Sequence, residues 1–194
     1  MFLLQAILAV MFVAFQGDTT AAVVKDFTDR VERYWEIHKK AEAAAPPIDK
    51  KKEEPAAILE HEKALAGGIR AARANAAEGD IFTARVQELF VGIIRQELSS
   101  GRGKTAREII LGEGNPKHRD DEGDSKHPEP PAKIVLAVNA NYPSAAPLST
   151  VPPSVLLNLP KLPQGLEYRF VGRDLILFDS KANIIVDILR NAIR

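Results

Sequence analysis

The residues from Leu166 to Leu189 read LEYRFVGRDLILFDSKANIIVDIL, and no other stretch restricts the fold as much. Leu166, Tyr168 and Phe170 fall on one side of an extended chain, with Glu167 and Arg169 on the other, which is the two-residue period of a half-buried strand. Gly172-Arg173 suits a tight turn, Leu175 to Phe178 runs apolar, DSKAN turns again, and Asn183 to Leu189 makes a third strand. The pattern predicts an antiparallel meander. Asp174 and Asp179 bracket its middle strand, where aspartate is favoured because its side chain bonds nearby backbone N–H groups. Asp187 sits on the third strand and is read as facing solvent. Three carboxylates so close together raise the alternative of a divalent-cation site, but their spacing fits no calcium loop.

Upstream, the period changes to that of helices. Val24, Phe27, Val31, Tyr34, Trp35 and His38 form one stripe, which predicts an amphipathic helix from Val24 to about Ala45. Pro46-Pro47 ends it, because proline removes a backbone donor and pushes Ala45 toward extended geometry. A second helix is expected from Pro55, a first-turn proline, through Ile58, His61, Leu65 and Ile69. A third, starting between Asp80 and Thr83, carries Ile81, Phe82, Val86, Leu89, Phe90, Ile93 and Ile94 and is expected to be the central core helix. SSGRGK then breaks the pattern, and TAREIIL resumes it for about two turns.

Between Glu113 and Lys133 almost every residue is polar, so the segment cannot bury enough surface to offset its ordering entropy, and a flexible acidic linker is predicted. IVLAVNANYP reads as a strand with Ile134, Leu136 and Val138 on one face. The proline-spaced run from Pro143 to Pro163 is expected to be mostly extended, with a single helical turn at Ser154 to Leu159.

The apolar run Phe2 to Phe15 is 14 residues long, shorter than a membrane span and the right length for the apolar region of a signal peptide. Cleavage is expected between Gln16 and Ala22. A retained anchor and a buried helix are the alternatives. The 26 basic and 26 acidic residues cancel, so no net field draws nucleic acid or an anionic surface. The absence of cysteine removes disulfides, thiolate metal sites and cysteine nucleophiles.

Each chemical motif has a plainer explanation. GRGKT at Gly101 to Thr105 imitates a phosphate loop, but Leu98 stands where its first glycine belongs and a helix precedes it where a strand is needed. A helix break holding, at most, some anion is expected there. His38 and His61 flank the turn between the first two helices with Glu42 nearby, a set that could move protons or hold metal; hydrogen-bonded interface histidines are the expected outcome. His118 and His127 lie in the acidic loop. Lys50 to Lys52 are balanced by Glu53 and Glu54 and read as a solvated turn. The serines lack a nucleophile elbow.

Two stretches, DFTDRVERYWEIHKKAEAAAPPIDKKKEEPAAILEHEKALAGGIRAARANAAEGDIFT and STVPPSVLLNLPKLPQGLEYRFVGRDLILFDSKANIIVD, together resemble a group of uncharacterised exported bacterial proteins. That group shares a signal peptide, a helical hairpin ending in a G-D-I-F-T-P-like segment, and a terminal meander. The resemblance implies export and the extent of the folded region, and brings no catalytic residue. The chain departs from the group at Ala84, where the group has proline, and in its longer acidic loop at 113–131.

The expectation is an α+β protein, with three to four helices packed on a small antiparallel C-terminal sheet. Residues 1–22 are assigned to a signal peptide, 23–112 to a helical region, 113–132 to the linker, and 133–194 to a meander region forming one domain with the helices. A non-enzymatic accessory or binding protein of the cell envelope is expected. A hydrolase whose site is assembled from separated residues, with or without metal, is the alternative. No catalytic residue, cofactor or metal ligand is assigned. The partner is an unknown envelope protein or ligand and no nucleic acid, with the membrane involved only if the leader is retained.

Overall fold

The computed structural model describes residues 19–48, 54–99, 101–113, 135–142 and 149–194. The apolar leader, Lys50 to Lys52, His118, His127 and the acidic linker beyond Glu113 lie outside the described residues. In chain order the elements are α1 (Thr20–Ala44), α2 (Pro55–Ala72), α3 (Ala84–Ser99), α4 (Gly101–Glu113), α5 (Pro153–Asn158), β1 (Leu166–Val171), β2 (Asp174–Asp179) and β3 (Ile184–Leu189). The strands form one antiparallel sheet in the order β1-β2-β3, so the fold is α+β with the meander at the C-terminus. None of the described helices is long and apolar enough to cross a membrane.

The local chemistry accounts for most of the boundaries. α1 starts at Thr20, four residues earlier than its apolar stripe indicates, because extended Thr19 accepts the Ala22 N–H on its hydroxyl at 3.3 Å and caps the first turn. It stops where Ala45, preceding proline, turns extended. α2 opens on Pro55 at its first turn. α3 begins at Ala84, later than its apolar run, and Ile81 and Phe82 are buried in the loop before it. One helix ends and the next begins within SSGRGK, α3 at Ser99 and α4 at Gly101, while GRGKT itself is helical and forms the first turn and more of α4; there Gly103 sits so close to the backbone of Glu97 and Leu98 that a Cβ would collide with it.

The sheet is covered on both faces. On one side Leu166, Tyr168, Phe170, Leu175 and Leu177 meet the buried stripes of α1, α2 and α3. At the centre of this core Phe27, Phe82, Phe90 and Tyr168 lie with ring centroids 5.0–6.3 Å apart, joining α1, the loop before α3, α3 itself and β1. A smaller cluster of Ile176, Phe178, Ile185 and Ile188 is covered by Leu136 and Tyr142 on the other face. The segment expected as a strand around Leu136 is not one. Asn139 adopts φ 63° and breaks the extended path, leaving only a bridge between Asn141 and Ile184. Ile134 lies outside the described residues.

The two hairpins differ. β1 and β2 are joined by Gly172-Arg173 with Gly172 at φ 58°, a first central position that glycine occupies without strain. Between β2 and β3 the register slips: Leu177 faces Asp187 while Phe178 faces Ile185, so Val186 is an extra residue on β3. The slip places Val186 and its neighbour Asp187 on the same, helix-facing side.

α1 and α2 pack closely at Gly68, where an added Cβ would lie 2.9 Å from the Ala41 Cβ, whereas one on the adjacent Gly67 would meet nothing within 4 Å. Both positions are helical, so alanine gains about 0.5–1 kcal/mol of propensity at either. Gly67→Ala is expected to raise stability by that amount. Gly68→Ala is expected to lower it by about 1–2 kcal/mol, because the helices must move apart. Urea denaturation of the two variants checks the contrast, which disappears if α1 and α2 do not cross here.

Candidate functional site

Titratable groups gather at two buried carboxylates, both on the helix-facing side of the sheet. The first is Asp179, the last residue of β2 and fully buried. Its alternation partners Leu175 and Leu177 point into the helical core, and Asp179 points with them toward α1. There Tyr34 and His38, one helical turn apart and both buried, reach it from the α1 stripe. The Tyr34 hydroxyl donates to Asp179 Oδ2 at 2.5 Å, and His38 Nδ1 lies 2.6 Å from the same oxygen. Oδ1 accepts the backbone N–H groups of Lys181 and Ala182 at 3.1 Å each, closing the turn into β3.

These partners fix the protonation pattern. An ionised carboxylate only accepts, so His38 carries a proton on Nδ1 and donates it. Burial pushes the Asp179 carboxyl upward, but the bonds from His38 and Tyr34 more than offset this and hold it below its ordinary value. Burial first, and then the Asp179 charge, drive the Tyr34 phenol well above its usual range. The guanidinium of Arg73 covers the outer face of the Tyr34 ring, 5.0 Å from its centroid. With Nδ1 committed, His38 Nε2 has no hydrogen-bond partner among the described residues. Glu42 Oε2 stands 3.5 Å from it, and Glu42 is itself held by Lys181 at 2.7 Å, which lowers the Glu42 carboxyl. Trp35 stacks on the imidazole at 4.2 Å.

The second carboxylate is Asp187. It does not face solvent as its sequence position indicates: it is fully buried, because the extra residue at Val186 reverses the alternation and turns it inward. It accepts the N–H groups of Gly79 at 2.9 Å and of Ile81 and Phe82 at 2.7 Å, together with that of Ile188 at 2.8 Å. Burial raises this carboxyl, and the four backbone donors pull it back only in part. Asp187 thereby holds the loop that leads into α3, the GDIF segment, against β3.

The remaining candidates go to separate partners. Asp174 accepts the Asn191 N–H and the Arg190 guanidinium near the surface, as a turn residue does. His61 Nδ1 donates to the Pro46 carbonyl at 2.7 Å, away from His38's carboxylate. Arg73 also donates to the Val186 carbonyl and to the Asn139 side chain, pinning segment 135–142 to the end of α2. Among the described residues, no three of histidine, aspartate and glutamate are placed to share a metal ion.

Chemically, the Asp179–His38 arrangement orients an imidazole with a basic Nε2, as a general base requires. The ring is wholly buried, however, and no hydroxyl of the described residues hydrogen-bonds that nitrogen. The geometry therefore works as a joint between helix and sheet. No family model, no curated protein and no solved structure matches the chain.

Two pH effects follow. Asp179, with its folded value depressed, stabilises the fold above the ordinary carboxylate value of about 3.9, and this is lost as pH falls through the folded value. Asp187, with its folded value raised, contributes below about 3.9, and this is lost as pH rises through its folded value. Asp179→Asn is expected to cost about 3–5 kcal/mol at neutral pH and to flatten the acid side of the stability curve. Tyr34→Phe is expected to cost about 1.5–3 kcal/mol. Chemical denaturation from pH 3 to pH 7 measures both.

Proposed function

We propose that this chain is an exported cell-envelope protein that acts by binding, as an accessory or ligand-carrying component, and carries out no catalysis of its own. One observation supports this most directly: among the described residues the buried ionisable groups His38, Asp179 and Asp187 are spent on joining elements of the fold, and each is fully buried. Two concavities of the described residues are lined differently. One, of about 520 Å³, lies between the starts of α1 and α3, where Asp26 is paired with Arg30. The other, of about 480 Å³, lies between α5 and β1 and contains neither histidine nor aspartate.

Export rests on the leader at Phe2 to Phe15. The Thr19 cap narrows the useful cleavage window, since a cut as far down as Ala22 would remove the cap and the first turn of α1. Cleavage between Gln16 and Thr19 leaves α1 whole.

The hydrolase reading keeps one observation in its favour, the unpartnered Nε2 of His38 behind its carboxylate. Rotation of Trp35 and Glu42 away from the ring would be needed to admit a substrate.

Expression of the full chain in a bacterial host tests both parts. Export predicts a product outside the cytoplasm whose intact mass places the N-terminus between Gln16 and Thr19; a full-length cytoplasmic product would overturn it. Binding without catalysis predicts no turnover of chromogenic esters, amides or phosphoesters. A turnover abolished by His38→Gln in a variant that still folds would replace the binding reading with the hydrolase.

A further inference from the structure

The groove between α5 and β1 has a definite origin in the sequence. Ser149 bridges Phe170 in antiparallel fashion, so the chain starts to run along the free edge of β1. Pro152-Pro153 then turn it away into α5 three residues later, since proline cannot donate to a ladder. It returns only through Pro160 to Pro163 and Gly165, at φ 98°, before entering β1. The space enclosed by this detour is about 480 Å³, within the roughly 300–1,000 Å³ typical of small-molecule clefts.

Its walls are aliphatic on one part, through Val151, Leu156, Leu162 and Leu166, and polar on the rest, where several of the polar groups are committed to one another. Val151 and Leu166 are buried, and Leu156 is 44% exposed. The neighbouring Leu157 on the same short helix is 86% exposed. The Tyr168 hydroxyl donates to the Pro160 carbonyl, and the Arg169 guanidinium is taken up by Glu167 on its own strand. That leaves Lys161, which lines the groove, is exposed, and has no ion pair or hydrogen bond among the described residues. The groove therefore offers an aliphatic wall with one uncompensated positive charge at its mouth. An amphipathic molecule with a single anionic head complements both features, since its chain removes leucine surface from water while its head meets the ammonium. A cationic head would be repelled by Lys161.

We propose that the groove binds a single-chain aliphatic carboxylate, with the carboxylate on Lys161 and the chain along Val151 and Leu156. This rests on the reading of the protein as one that binds, and it names the ligand class.

Titration calorimetry with decanoate, below its micelle-forming concentration, tests it. Saturable one-to-one binding is expected, with none for decylammonium. Lys161→Glu should weaken decanoate about ten-fold or more, the loss of one charge-assisted contact, and should admit decylammonium. Leu156→Asp should abolish both. Both positions are exposed enough to leave the fold intact, which circular dichroism verifies. Absent or non-saturable decanoate binding, or binding unchanged in Lys161→Glu, overturns the ligand assignment and leaves the binding reading standing. Turnover lost with His38→Gln would instead overturn that reading.

Discussion

The docking of helices on the sheet depends on how one carboxylate is satisfied. Asp179 brings a charge into a space where an unpaired one would cost several kcal/mol, and its two oxygens take four donors from two directions. Tyr34 and His38 come from α1; Lys181 and Ala182 come from the turn that starts β3. Apolar contact between α1 and the sheet would tolerate sliding, because hydrophobic burial has no direction. Hydrogen bonds do have direction, and two donors one helical turn apart meet Oδ2 in only one rotation and one height of the helix. The aromatic cluster around Phe27 supplies much of the attraction, while Asp179 sets the alignment.

Asp187 performs a related task for α3. The loop from Gly79 to Phe82 presents three N–H groups that no helix or strand uses, and leaving them buried without acceptors would cost about 1–3 kcal/mol each. A carboxylate on the sheet answers them together. This requires an inward aspartate at a strand position where alternation would send it outward, and the extra residue at Val186 provides the reversal. The bulge, the aspartate and the entry to α3 are thus one device. Arg73 connects the two carboxylates' surroundings by covering Tyr34 and binding the Val186 carbonyl.

Much of this was legible in the residues. The α1 stripe already contained Phe27, Val31, Tyr34 and His38, and all four are buried. The meander, its glycine turn and the short helix at 153–158 follow from local pattern and turn chemistry. Asp179 was half legible: its turn role came from its position, and its inward direction was available from its parity with Leu175 and Leu177. Pairing it with His38, 141 positions away, requires the fold itself. Asp187 was not legible, because a bulge carries no local signature when every neighbour is β-branched or leucine. The strand expected around Leu136 failed for a related reason. Asn139 leaves the extended region so that its carbonyl and side chain can meet Arg70 and Arg73, partners that lie far off in sequence.

A chain without cysteine has no covalent staple, so its uniqueness must come from packing and from directed polar contacts. Here the buried ones concentrate where α1, α2 and α3 meet the sheet, whereas the stretch around α5 is held by exposed or half-buried contacts such as Asn158 to Glu97 and Tyr168 to the Pro160 carbonyl. That stretch is shaped instead by prolines, which fix backbone angles and deny donors without tying the chain to anything else. The division has a functional consequence. Surfaces held by buried carboxylates cannot open without exposing an unpaired charge, so they are poor places to admit a ligand. The α5 edge has no such penalty, and leucines left in water there gain by being covered. On the proposed reading of the protein as one that binds, the edge of β1 that the chain begins to cover and then abandons is therefore where a ligand would displace the least of the fold.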